Sequence, residues 1–329
     1  MFRLPDFPPH MRQAADRQKG QNWFIELLIF FLVFLVSSSA MSIVMVAGIV
    51  LTALTDRDFM VLMAESGPGQ IELLTEVLIT SDPVMLVSLF SNAVMILVTV
   101  LFCIVLQKRT AASMGFVRLR IVRHYLTGAA VGLILFGSVT LLNVLTGSLT
   151  IDGISPDFSL LFFLLFAVGF GIQGMAEEVL CRGYFMVSVG RRYPVAAAII
   201  LNSCVFSLLH ILNPGVSVLA IVNILLVGIV FSVYFLRTGN IWGVGAFHSV
   251  WNFVQGNVFG MEVSGMKFSC SLFSSSANPE GAFWNGGAFG PEGGFSVTVV
   301  LTVALIILIV GKRPSVREEA QGGQDIQRT

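Results

Sequence analysis

Long apolar stretches separated by short polar punctuation dominate the chain, and several exceed the roughly 18 residues that suffice to cross a bilayer. Eight spans are expected, at about 23–54, 84–106, 125–146, 158–181, 195–212, 216–236, 241–259 and 295–311. Strands open to lipid would leave backbone groups unpaired, so the spanning elements are expected to be helices. The fold class expected is therefore an all-α, polytopic membrane bundle. The apolar run that begins at Trp23 continues through Leu54, which reads as one long tilted helix and not as a cleaved secretory leader.

Composition agrees with the pattern. The chain is 55% hydrophobic and only 12% charged, with a mean hydropathy of +0.86, far from the balance of a water-soluble domain. Its 19 basic and 19 acidic residues cancel, which gives no reason to expect a nucleic-acid partner. Their distribution says more. With a cytoplasmic N-terminus, 17 of the 19 Lys and Arg fall inside, leaving Arg57 and Lys267 outside, so both termini are expected to be cytoplasmic. Residues 56–82 and the Gly/Ser-rich segment 260–294, with Phe283, Trp284 and Phe289, become outer loops, the latter irregular and dipping toward the interface. Cys103, Cys181, Cys204 and Cys270 offer no disulfide framework.

The organisation expected is a tail (1–22), helices one to three (23–153), a core of helices four to seven (154–259), the outer loop (260–294), and a last helix with a solvated tail (295–329). The setting is an integral membrane protein, expected in a bacterial plasma membrane, with the lipid bilayer itself as a partner.

Ionisable groups inside a membrane are costly and mark a site or a packing device. Of four histidines only His210 and His248 sit in apolar segments, and a second polar cluster lies at Glu177, Glu178 and Arg182. Glu178 and Arg182 are i and i+4 in the favourable order for an ion pair. Glu177 then points about 100° away, free to take a proton from water as general base; the two glutamates' roles are also compatible with exchange or sharing. Phe206 and His210 share a helix face, extended by Asn202. His248 and Asn252 repeat the spacing on another span and are suited to hold an oxyanion. All of these meet only if span four continues as helix toward Arg191 and span five starts near Pro194. No cofactor is expected. The alternative is a divalent metal such as zinc on Glu177, His210 and His248, although no His-Glu-x-x-His pattern occurs.

Three motifs in order, Glu-Glu-x-x-x-Arg at 177–182, Phe-x-x-x-His at 206–210 and His-x-x-x-Asn at 248–252, resemble the CPBP group of CAAX proteases and bacteriocin-processing enzymes, also called the Abi or type II CAAX prenyl endopeptidase family. The lead-in Arg237-Thr238-Gly239-Asn240-Ile241-Trp242 is similar too, and Gly-Pro-Glu-Gly at 290–293 looks like some bacterial members. Cys181 departs from the Phe common before Arg-Gly in that family, a change in packing. The resemblance covers about 158–259. It implies an eight-helix intramembrane endopeptidase in which Glu177 and His210 activate water, His248 and Asn252 stabilise the oxyanion, and a membrane-associated peptide or protein is cleaved within or at the cytoplasmic side of the bilayer. A non-enzymatic bacteriocin-immunity factor and a transporter are the other classes that these residues allow.

Overall fold

In the computed structural model, which describes residues 6–17, 19–55, 61, 64 and 81–311, the chain is mostly helical. The outer loop expected at 56–82 and the tail after Gly311 lie outside the described residues, save for a few positions of the former. A short helix α1 (Pro9–Arg17) precedes α2 (Trp23–Thr55), where Asn22 accepts the Phe24 N–H to cap the first turn. Next come α3 (Asp82–Leu101), ending in π turns at Phe102–Leu106, and α4 (Ile121–Leu145). α5 (Leu160–Glu178) runs on through π turns at Val179–Met186 to Gly190, and α6 (Val195–Leu208) starts directly after Pro194. α7 (Val218–Thr238), α8 (Ile241–Phe253, with π turns to Val258) and α9 (Phe295–Val310) complete the bundle.

All eight expected apolar segments are helical over most of their length, but among the described residues five helices are long and apolar enough to span a membrane: Trp23–Thr52, Asp82–Leu106, Ile121–Leu145, Leu160–Gly190 and Val218–Thr238. The 14 residues of α6 rise only about 21 Å, short of a core about 30 Å thick. The all-α expectation also needs amending. β1 (Leu149–Ile154) pairs antiparallel with β2 (Phe273–Ala277), with a register shift between Ile151 and Gly153, so the expected irregular loop 260–294 is tied to the α4–α5 connection.

α8 is the most enclosed element, and small residues put it there. A Cβ on Gly128 would lie 1.9 Å from the Gly243 carbonyl oxygen, and one on Gly132 would lie 2.5 Å from that of Phe247. The Gly128-x-x-x-Gly132 pair of α4 thus lets two backbones touch, as in small-residue membrane interfaces. On the other side, Gly174 of α5 abuts Ser249. Gly239, in the left-handed conformation at φ 61°, ends α7, and Asn240 accepts the Trp242 N–H to start α8. The lead-in before the last motif is therefore a two-residue reversal, and it fixes the register at which His248 faces α5.

Candidate active site

Glu177 and Glu178 occupy the last turn of α5, where the helix widens into π turns, a distortion common at functional sites. The two carboxylates diverge as their spacing dictates. Glu178 is fully buried, and its Oε1 accepts from Arg182 Nη1 at 2.8 Å and from His248 Nδ1 at 2.9 Å. Arg182, also fully buried, donates through Nη2 to the Gly228 carbonyl at 3.2 Å and stacks over Phe206 and Phe231, 4.5 and 5.3 Å from their centroids. Two atoms of this pair, Glu178 Oε2 and Arg182 Nε, are buried without a hydrogen-bond partner.

Glu177 is 25% exposed and faces a cavity of about 200 Å³, space for several waters or a peptide unit. Its Oε1 accepts from Gln173 Nε2 at 2.5 Å, and its Oε2 lies 3.8 Å from His248 Nε2. Gln173 in turn accepts from Asn252 Nδ2 at 3.0 Å. The amide of Gln173 thus joins Asn252 to Glu177, a role the motifs did not reveal. The signal was present, since Gln173 is four residues before Glu177 and so shares its helix face.

A carbonyl or carboxylate oxygen can only accept, which settles where two ring protons sit. His248 carries hydrogen on Nδ1 toward Glu178, so its Nε2 is the atom turned to Glu177. His210 carries hydrogen on Nδ1, 2.8 Å from the Phe206 carbonyl, which leaves Nε2 as the acceptor of the neutral ring. His210 was expected within a helix; it lies instead in the turn after α6, two residues beyond Leu208, where its N–H bonds the Ser207 carbonyl. The Phe206 ring still packs against the imidazole at 4.9 Å. His210 lines the same cavity as Glu177, His248 and Asn252, and no direct bond or ion pair joins it to Glu177. Asn202 does not extend this face into the cavity. It is fully buried and donates to Ser232 Oγ at 3.3 Å, tying α6 to α7.

The cavity has a cap that was not foreseen. Val263, Ser264, Met266, Phe268 and Glu292 from the 260–294 segment form part of its wall. Glu292 Oε2 accepts from both the backbone N–H and the hydroxyl of Ser264, each at 2.7 Å, and Asn213, three residues after His210, donates to the Ser264 carbonyl at 3.0 Å. Ser264 itself adopts a left-handed φ of 49°, a conformation that costs a non-glycine residue.

As for a metal, among the described residues no group of three or more His, Cys, Asp or Glu side chains is arranged to hold an ion. The four cysteines are free, and Cys181 is packed in the core.

Residues 156–254 match the family of Rce1-like type II CAAX prenyl endopeptidases. The matched stretch contains Glu177, Glu178, Arg182, His210, His248 and Asn252, and it supports both the resemblance carried by the three motifs and an intramembrane protease as the class of protein. It ends before the cap. Neither the curated proteins nor the solved structures contain a match to the chain.

Proposed function

We propose that this chain is an intramembrane endopeptidase that hydrolyses a peptide bond of a membrane-associated polypeptide with water activated by Glu177 and His210. The observation that carries the reading is that Glu177, His210, His248 and Asn252, from three separate stretches of chain, line one cavity. A water between Glu177 and the His210 ring gives up a proton to the pair as its oxygen attacks the scissile carbonyl carbon. The carbonyl oxygen becomes an oxyanion that accepts from the Asn252 amide and, in the imidazolium form, from His248 Nε2–H. Collapse breaks the C–N bond, and the proton held by the pair passes to the leaving amine.

Glu178 and Arg182 act one step back. Glu178 is shared between the guanidinium and the His248 ring, so it orients the imidazole with Nε2 toward Glu177. A divalent ion on Glu177, His210 and His248 is the alternative to this metal-free route, and turnover that survives exhaustive chelation supports the metal-free form.

Glu177→Gln and His210→Ala are each expected to lower turnover of a cleaved peptide by at least 10³-fold, the scale of a lost general base, while the purified variants melt as the wild type does. Retained turnover in either folded variant overturns the assignment. Comparing membrane proteomes with wild type and Glu177→Gln identifies the substrate as the polypeptide that stays uncleaved.

A further inference from the structure

We propose that Glu292 selects substrates that carry a lysine or arginine side chain close to the scissile bond, by supplying its counter-charge inside the catalytic cavity. Cleavage of such peptides rests on the peptidase reading; the cavity's preference for a basic side chain does not.

The first observation is the charge of the cavity wall. Two carboxylates, Glu177 and Glu292, line it together with His210 and His248, and no lysine or arginine does. Arg182 is paired with Glu178. Lys267, although it stands between the cap residues Met266 and Phe268, lines a different space of about 270 Å³ with Glu262. Among the described residues no ion pair reaches Glu292. A carboxylate without a counter-ion, on the wall of a cavity lined mostly by aromatic and aliphatic side chains, is costly. The ammonium or guanidinium of a bound peptide supplies what is missing.

The second observation is how firmly Glu292 is placed. Gly290, at a positive φ of 86°, leads into the short turn Pro291–Gly293 that carries it. A Cβ at residue 290 would lie 2.2 Å from the Glu262 carbonyl oxygen, so the turn requires glycine. Asn223 of α7, itself buried, donates to the Glu292 and Gly294 carbonyls at 2.8 Å each, and its side-chain oxygen accepts from Thr298 of α9. Ser264 engages Oε2 with two donors, whereas among the described residues none donates to Oε1. The carboxylate is thus held in place with one oxygen left over. Trp251 borders the same part of the cavity, since it shares with Glu292 the wall of an adjoining space of about 10 Å³. A fixed carboxylate near an indole is the chemistry that retains a lysine or arginine head, through charge and cation–π attraction. With about 200 Å³ shared by Glu292 and Glu177, that head belongs to a residue near the bond being cut.

Pools of N-acetylated, quenched fluorescent peptides, random except for a central lysine, norleucine or glutamate, test this on the full-length protein in lipid nanodiscs. The wild type is expected to cleave the lysine pool with kcat/KM at least tenfold above the norleucine pool, as a site with an unpaired polar group rejects the analogue that lacks the partner. Glu292→Gln, which keeps an acceptor for Ser264, is expected to bring the two pools within about twofold, and Glu292→Lys to favour the glutamate pool. A lysine preference that survives in folded Glu292→Gln, or a wild type that cleaves without one, overturns the proposal. An unacetylated norleucine pool cleaved as fast as the lysine pool also overturns it, because the cation is then the amino terminus. Binding separates recognition from chemistry. In a Glu177→Gln background, anisotropy of singly labelled pools is expected to show lysine peptides bound at least tenfold tighter than norleucine peptides, a margin that Glu292→Gln removes. That margin, with no pool cleaved by the wild type, sustains the cation site and brings down the peptidase reading; cleavage of all pools at equal rates does the converse.

Discussion

Two arginines are buried in this bundle beside the same stretch of α5, and they differ in how completely they are satisfied. Arg109 donates to Ser113, Gln107 and Ser188 side chains and to the Ser113, Gly183 and Tyr184 carbonyls. It meets no carboxylate and faces no described cavity next to Glu177. Arg182 meets Glu178 and one carbonyl, leaves its Nε without a partner, and sits one carboxylate away from an imidazole that opens on a cavity. A saturated polar cluster spends its hydrogen bonds on holding helices together. One with atoms left over keeps bonding capacity in reserve at the site of the proposed chemistry.

The largest expected effect tests that contrast directly. Arg182→Met leaves the fully buried Glu178 carboxylate without its counter-charge, a loss of about 3–5 kcal/mol, and releases the His248 ring that Glu178 orients. Thermal melting in detergent should fall steeply, and any folded fraction should lack turnover. Arg109→Met removes guanidinium hydrogen bonds to neutral acceptors and strips no carboxylate of its counter-charge; each acceptor left buried and unpaired costs about 1–3 kcal/mol, and activity per folded molecule should stay at the wild-type level. An Arg109→Met protein that is folded yet inactive breaks the comparison.

What the sequence disclosed was whatever is local. Helix positions followed from apolar runs, and the three motifs are i, i+4 pairs whose partners meet by the helix repeat itself. The continuation of α5 past Arg182 and the start of α6 after Pro194, the conditions for convergence, hold in the structure. What escaped was non-local. Strand β2, Phe-Ser-Ser-Ser-Ala, has no apolar alternation, and its partner lies more than a hundred residues earlier. The cap joins the cavity through single contacts such as Asn213 with Ser264, which no periodicity encodes. The shortness of α6 was hidden because apolar character runs on through the turn that carries His210.

Gln173 sharpens the comparison at intermediate scale. It is a positioning residue, bonded to Glu177 on one side and Asn252 on the other. Gln173→Leu keeps the volume and removes two hydrogen bonds, each worth under about 1 kcal/mol inside a membrane bundle, so stability should barely move. Turnover should fall about 10²-fold, the cost of a misplaced reacting group, with the loss in kcat and not in KM. Gln173→Glu, which keeps an acceptor for Asn252 but sets a second acid against Glu177, should not restore it. A stability loss that matches the activity loss would make Gln173 a packing residue like Asn202.

The smallest expected effect lies in the cap. Ser264→Ala takes one donor from Glu292 and leaves the other, the backbone N–H, in place. The lost bond is worth about 0.5–1.5 kcal/mol, and the strained φ of 49° at residue 264 loses part of what holds it. The segment 263–268 should open more often, seen as faster amide hydrogen exchange there with no change in the α8 core. Because Ser264 bonds Asn213 and Glu292 and not Glu177, His210, His248 or Asn252, kcat should hold while KM shifts a few-fold. If kcat falls instead, the cap shapes the reacting geometry itself, and the boundary between the matched stretch ending at residue 254 and the segment beyond it no longer separates chemistry from access.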